Sequence, residues 1–234
     1  MRKHRKSNQI RKPKISVDFC PNARGSVLFE MEHTRVICAA SVSDDVPDHA
    51  AAKGTGWISA EYSLLPYSTN TRTNRPLLTR DGRAVEIQRV ISRSLRGVID
   101  LSLMPGVAIH VDCDVLEADG GTRTASITGS YIALKCALTR LVTDGTLSKN
   151  PLVSNVAAVS TGYVGGELLL DLDYAEDSRA EVDLNVIMDG KGNLIEVQGT
   201  GERAPFTVQQ LIEMISLSRI GISELVEIQD SVKF

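Results

Sequence analysis

Period-two alternation of apolar and polar residues marks the strands of this 234-residue chain, and spacing of three to four marks its helices. Residues 26–31 and 34–42 alternate on either side of Glu32-His33 and read as a hairpin, while 56–62 and 107–116 read as further strands. A second hairpin is predicted over 155–162 and 167–170, turning at Val164-Gly165-Gly166. Residues 180–188 put Ala180, Val182, Leu184, Val186 and Met188 on one face and Glu181, Asp183, Asn185 and Ile187 on the other. That strand pairs naturally with 194–199 across a Gly-rich turn at 189–192. Helical spacing runs from Arg83 to about Asp100, with Ile87, Ile91 and Leu95 on an apolar stripe and Arg89, Arg93 and Arg96 sharing another. It returns from Thr122 through Ile127, Tyr131, Leu134 and Leu138, and again after Thr207, which caps a C-terminal helix carrying Leu211, Ile215, Leu217 and Leu225. Residues 44–55 read as a connection and 66–81 as an exposed loop. Strand runs broken by helices predict an α+β class, mixed sheets with helices packed on them; with no Pro- or Ser-rich linker, 1–234 reads as one domain.

The junction between the strand at 107–116 and the helix at Thr122 carries the strongest chemical signal. Gly120-Gly121 permits a sharp turn, and a helix entered through small residues directs its unpaired N–H groups and positive dipole end outward. Arg123 adds a guanidinium suited to paired phosphate oxygens. The same residues also fit an ordinary strand-turn-helix corner capped by Thr122.

Composition narrows the class. With 42% apolar residues the chain can fill a sizeable core, no apolar run approaches the roughly 18 residues of a membrane span, and the basic start lacks a following apolar segment. A soluble, cytoplasmic protein is expected. Cys20, Cys38, Cys113 and Cys136 form no Cys-x-x-Cys pair, so neither a zinc ribbon nor a redox dithiol is signalled. The net charge of −3 conceals a segregation: seven Lys or Arg and no acid lie between Met1 and Lys14, and seven Arg stand against Asp81 and Glu86 between Arg72 and Arg96. Two basic segments on an acidic body fit either a polyphosphate partner such as a nucleic acid or a solvated tail plus a salt-bridged helix.

Asp171, Asp173, Glu176 and Asp177 crowd one short segment, and Asp183 follows on the polar face of the next strand. Asp177 and Asp183 could hold a divalent ion or share a proton near a reacting oxygen; an acid-rich turn can equally be plain solvated surface. His4, His33, His49 and His110 are scattered, and no His-x-x-x-His, Gly-x-Ser-x-Gly or Gly-x-x-x-x-Gly-Lys pattern occurs. Zinc proteases, serine hydrolases and P-loop enzymes are therefore unsupported.

In combination, Gly54-Thr-Gly-Trp-Ile-Ser-Ala-Glu-Tyr62, Gly82-Arg83 with Glu86-Ile-Gln-Arg89, Asp112-Cys-Asp-Val with Ala118 through Gly129, Asp171 through Asn185, and Glu196-Val-Gln-Gly-Thr200 with Pro205-Phe206 resemble the ribonuclease PH family over nearly the whole chain. Members are phosphate-dependent 3′-to-5′ exoribonucleases that trim transfer RNA ends. The resemblance implies the two-layered fold shared with polynucleotide phosphorylase and exosome ring subunits, and a hexameric ring built as a trimer of dimers. It implies a phosphate site at Arg83, Gly121, Thr122 and Arg123, and catalytic or magnesium-binding aspartates at Asp177 and Asp183. RNA contacts are implied at Arg72, Arg75, Arg80, Arg89, Arg93 and Arg96. The implied reaction is phosphorolysis, with inorganic phosphate as co-substrate and Mg²⁺ as cofactor. This chain departs from the family pattern at His4, at Lys12 between Arg11 and Pro13, and at Arg203, where a glycine is usual. A non-catalytic RNA-binding ring subunit and a phosphate-binding metabolic enzyme are the rival readings.

Overall fold

The computed structural model describes residues 2, 5–74 and 82–234. β1 (Pro13–Val17), β2 (Gly25–Met31), β3 (Thr34–Ser43), β4 (Trp57–Leu64) and β5 (Ala108–Glu117) form one sheet in the order β1-β2-β3-β5-β4. Its pairs are antiparallel except β4 with β5, which run parallel because a helix crosses between them. The predicted first hairpin is β2-β3, and Glu32 takes a left-handed φ of 51° in its turn. The connection after β3 contains a single short helical turn, α1 (Asp48–Ala51).

The crossover helix α2 (Gly82–Arg96) buries Ile87, Ile91 and Leu95, the stripe read from spacing. It ends earlier than its spacing predicts. Ile99 leaves the helix to bridge Leu152, and Asp100 accepts a hydrogen bond from Ser102 N to start a 3-10 turn at Leu101–Leu103.

Helix α3 (Thr122–Thr143) follows β5 and touches β2 and β3 on one side and β6 (Val156–Val164) on another. An amphipathic stripe was the expectation, but every residue from Thr124 to Leu134 is buried, because the helix is covered from both sides. Small residues allow this. A Cβ on Gly129 would lie 2.9 Å from Cys38 Sγ and 3.0 Å from Phe29 Cβ, so glycine sets how closely α3 approaches the first sheet. Thr128 stays satisfied in the core, its Oγ1 accepting from Ala158 N at 3.1 Å.

The second sheet, in the order β7-β6-β8-β9, comprises β6, β7 (Glu167–Leu170), β8 (Val182–Asp189) and β9 (Leu194–Thr200), all antiparallel. Between β7 and β8 lies a four-residue turn of helix, α4 (Tyr174–Asp177). Helix α5 (Val208–Ser231) packs on β6, β7 and β8, and its start carries the expected Thr207 cap, completed as a capping box by Gln210. Side chains from both sheets and from α3 join one continuous core, including Phe29, Ile58, Ile109, Val159 and Val186 from the sheets and Ile132 from α3. At about 1.5–3 kcal/mol for each large apolar side chain removed from water, this shared interior holds the sheets together. Cys38 and Cys113 lie within it, Cys136 is also buried, and all four cysteines are free. Among the described residues no helix is long and apolar enough to cross a membrane.

Candidate functional site

Where β5 ends, the chain turns through Gly120 and Gly121 at φ 73° and 68° and enters α3. A Cβ on Gly120 would sit 2.6 Å from the carbonyl carbon of Asp173 and 2.7 Å from Leu172 O, so the turn rests directly on the backbone leading to α4. Gly121, not Thr122, is the N-cap residue, and it brings no side chain to the leading amides. Thr122 is the first helical residue; its Oγ1 lies 2.9 Å from the hydroxyl of Tyr62 on β4. Burial raises the Tyr62 pKa against the hydrogen bond from Thr122 and the fields of Arg83 and Arg123, so the phenol stays protonated.

The head of α3 opens onto a cleft of about 660 Å³. Arg83, Gly121, Thr122 and Arg123 line one part of it, and Asp177 and Asp183 line another. Arg123 donates from Nη2 to Glu86 at 3.1 Å and from Nη1 to Gln198 Oε1. The structure thus gathers the sequence-predicted phosphate residues and both aspartates around one space.

The acidic side is built by backbone devices. Asp173 caps α4 in a capping box with Glu176, which fixes Asp177 at the end of that turn. Asp183 pairs with Thr200 and Asn185 with Gln198 across β8 and β9, so these four side chains share a sheet face. Asp183 Oδ1 is buried and has no hydrogen-bond partner among the described residues. Its carboxyl is pushed up to about 6, first by burial and then by the charges of Asp177 and Glu202. Burial also raises Asp177, with Arg83 opposing. An unpartnered carboxylate oxygen beside a second carboxyl is a hard-oxygen pair suited to Mg²⁺, which takes one or two carboxylates and keeps waters or phosphate oxygens for the rest. No group of three or more metal-ligating side chains occurs among the described residues.

The remaining arginines diverge. Arg72 is exposed and donates to Asn74 Oδ1, Arg89 is exposed, and Arg75 and Arg80 lie outside the described residues. Arg93 pairs with Glu196 at 2.6 Å. Arg96 turns the other way, its guanidinium carbon 4.5 Å from the Trp57 ring centroid and its Nη1 donating to Ile58 O. The α2 arginines therefore do not share one exposed face, because a helix turn separates partners on β9 from partners on β4. The basic N-terminus also turns inward: Arg2 pairs with Glu176, Arg5 and Arg11 with Asp171. Cations of the chain itself pair with Asp171 and Glu176, half of the acid-rich segment, while Asp177 and Asp183 line the cleft. A larger hollow of about 1160 Å³ lies beside this arm, with Lys6, Arg179 and Glu167 among its lining residues, but it contains neither the head of α3 nor the aspartate pair.

Tyr62, Ser160, Asn185, Gln198, Thr200 and Glu202 join the site without being singled out by residue type in the sequence. Only Asn185, Gln198 and Thr200 carried a signal, since their strand parity matches that of Asp183 once the β8-β9 register is known.

A model of the 3′ exoribonuclease family, domain 1, matches residues 9–139, and domain 2 of the same family matches residues 154–221. The chain belongs to the 3′ exoribonuclease family. This exoribonuclease-family chain superposes on Rrp46 from rice (Oryza sativa) with a TM-score of 0.79 at 16% identity, covering 97% of each chain. An Archaeoglobus fulgidus exosome with RNA bound to the active site gives 0.77 at 23% identity, covering 95% of this chain and 90% of that one. An archaeal exosome core gives 0.75 at 21%, with coverage of 97% and 90%. At such identities the likeness is one of fold, the mixed two-sheet architecture described above.

Proposed function

We propose that the protein is a phosphorolytic 3′-to-5′ exoribonuclease that removes 3′-terminal nucleotides from transfer RNA precursors and other RNA in the cytoplasm. The observation that carries this reading is the single cleft where Arg83, Arg123 and the head of α3 face Asp177 and Asp183. Arg83, Arg123 and the amides following Gly121 hold inorganic phosphate. One of its oxygens attacks the phosphorus of the terminal linkage, the bond from that phosphorus to the penultimate 3′-oxygen breaks, and a nucleoside diphosphate leaves. Two anions must approach, so fixed positive groups offset their repulsion and the charge of the transition state. The freed 3′-oxygen needs a proton, and Asp183, its pKa pushed up to about 6, can carry one to it in mildly acidic solution. Alternatively, Mg²⁺ held by ionised Asp177 and Asp183 would supply Lewis-acid stabilisation of that oxygen in place of the proton. The same groups serve the reverse transfer from a nucleoside diphosphate. The exosome neighbours support a ring assembly, which for this chain we take to be a homohexamer, a trimer of dimers.

Incubating the protein with a 3′-tailed RNA and Mg²⁺, with and without inorganic phosphate, tests the reading. Nucleoside diphosphates appearing only with phosphate are expected. Monophosphates would mean hydrolysis, and RNA binding without release would mean a non-catalytic ring subunit.

A further inference from the structure

The Arg11 guanidinium lies between the two halves of the cleft wall, although its neighbours in sequence mark it as part of a basic tail. Its side chain is 1% exposed. On one side its backbone N and Nε bond Asp171 Oδ2 at 2.7 and 3.0 Å, and its Nη2 bonds Asp171 Oδ1 at 2.7 Å. On the other, Nη1 donates to Asp119 O at 2.8 Å and Nη2 reaches Gly120 O at 3.4 Å. A Cβ on Gly121 would lie 3.0 Å from Arg11 Nη2, which places the fork directly beneath the N-cap of α3. Asp171 itself holds a left-handed φ of 55°, a strained backbone that persists only where its surroundings fix it, and the chain leaves it for Asp173 and α4. Thr34 completes the brace, its Oγ1 donating to Gly120 O at 2.7 Å and accepting from Asp119 N at 3.2 Å.

We propose that Arg11 is a positioning residue for the cleft: its planar fork grips the Asp119 and Gly120 carbonyls leading into the turn and the Asp171 carboxylate together, and so fixes the head of α3 relative to the turn that carries Asp177. The proposal rests on the phosphorolytic reading for its kinetic consequences and on geometry for its structural ones. Lysine cannot replace the fork. An ammonium beside Asp171 keeps the buried charge paired but offers no rigid plane of donors to span to the Asp119 and Gly120 carbonyls. Displacements of the order of 1 Å at a reacting centre cost up to about 100-fold.

The test compares wild type, Arg11→Lys and Thr34→Val, each checked for folding by circular dichroism and assayed well below its melting temperature. In phosphorolysis of a 3′-tailed RNA, Arg11→Lys is expected to raise KM for phosphate and lower kcat by about 10-fold or more each, since both walls loosen. Thr34→Val removes the Thr34 Oγ1 contacts with Gly120 O, Asp119 N and Arg11 Nη1 but leaves the Arg11–Asp171 fork in place, so it should raise KM for phosphate by about three-fold and spare kcat. Binding of inorganic phosphate alone, followed by ³¹P NMR, should weaken in the same order. A folded Arg11→Lys variant with wild-type kcat and phosphate KM, even one that melts earlier, overturns the positioning role. If Arg11→Lys does not fold, Thr34→Val decides, and an unchanged phosphate KM in it overturns the brace. If the wild type releases no diphosphates, the functional reading fails by itself; the NMR titration then decides, with equal phosphate binding in wild type and Arg11→Lys overturning the inference.

Discussion

Arg123 Nη2 lies 3.1 Å from Glu86 Oε2, so the guanidinium at the head of α3 is already engaged by a carboxylate from α2. Gln198 ties the pair together, its Oε1 accepting from Arg123 while its Nε2 donates to Glu86 Oε1 at 3.0 Å and Glu196 Oε1 at 2.9 Å. Glu196 in turn holds Arg93. A phosphate entering the cleft must share Arg123 with Glu86 or displace it.

Neutralising that competitor should tighten phosphate binding. The side chains are 20% and 47% exposed, which makes this a partly solvated pair worth about 0.2–1 kcal/mol. Glu86→Gln is therefore expected to lower KM for phosphate by about two- to five-fold in steady-state phosphorolysis, with KM for RNA unchanged. A raised phosphate KM would show instead that Glu86 holds Arg123 in its working position.

The two sides of the cleft should separate kinetically. Arg123→Ala removes a guanidinium from the proposed phosphate subsite and should raise KM for phosphate and lower kcat/KM about 100-fold, while RNA binding by fluorescence anisotropy stays near wild type. Asp183→Ala should lower kcat by at least about 100-fold with RNA and phosphate still bound. Either variant trimming at the parental rate removes that residue from the mechanism.

Most of the architecture was legible because period decides element type: strand parity, both hairpins, the stripe of α2 and the Thr207 cap follow from local patterns. What escaped was set by tertiary contact. Burial of α3 on all sides depends on two sheets meeting it, and the direction of Arg96 depends on Trp57 being beneath that turn of α2. Arg2, Arg5 and Arg11 read as a basic tail, solvated or meant for a polyanion, because their acidic partners, Asp171 and Glu176, lie more than 150 residues away in sequence. The candidate site was legible where residue type and turn coincide, at Gly120-Gly121-Thr122-Arg123, and through strand parity at Asp183. Gln198 and Thr200 needed the register between β8 and β9.

The half-buried Asp183 should leave a mark on stability. Its carboxyl moves from an ordinary 3.8 to about 6 on folding, chiefly through burial, so the folded state holds a proton that the unfolded chain has released. Stability from this group is intact below about pH 4, falls as pH rises through the interval to about 6, and is level above it. Thermal melts of protein stripped of divalent ions by chelator should show this decline for wild type. Asp183→Asn should flatten it and melt higher than wild type at pH 7.5, by a margin that shrinks toward pH 4. An equal margin at both pH values would mean that Asp183 is not desolvated.

Glycine substitutions can isolate the contact between the two halves of the site. Gly120 and Gly145 both take left-handed φ, 73° and 82°, so alanine at either incurs a conformational penalty of about 1–2 kcal/mol. Their surroundings differ. A Cβ at Gly145 meets nothing within 4 Å, whereas at Gly120 it would lie 2.6 Å from the Asp173 carbonyl carbon and 2.7 Å from Leu172 O and Tyr174 N, all backbone atoms that cannot rotate aside. Gly145→Ala should therefore cost the backbone penalty alone and leave turnover untouched. Gly120→Ala should cost about 1–3 kcal/mol more by urea denaturation, because the clash must be relieved by shifting the segment that leads into α4. That shift moves Asp177 relative to the head of α3, so kcat should fall with stability at Gly120 and not at Gly145. Equal losses at the two positions would show that the turn at Gly120 and the start of α4 do not bear on each other as the close approach implies.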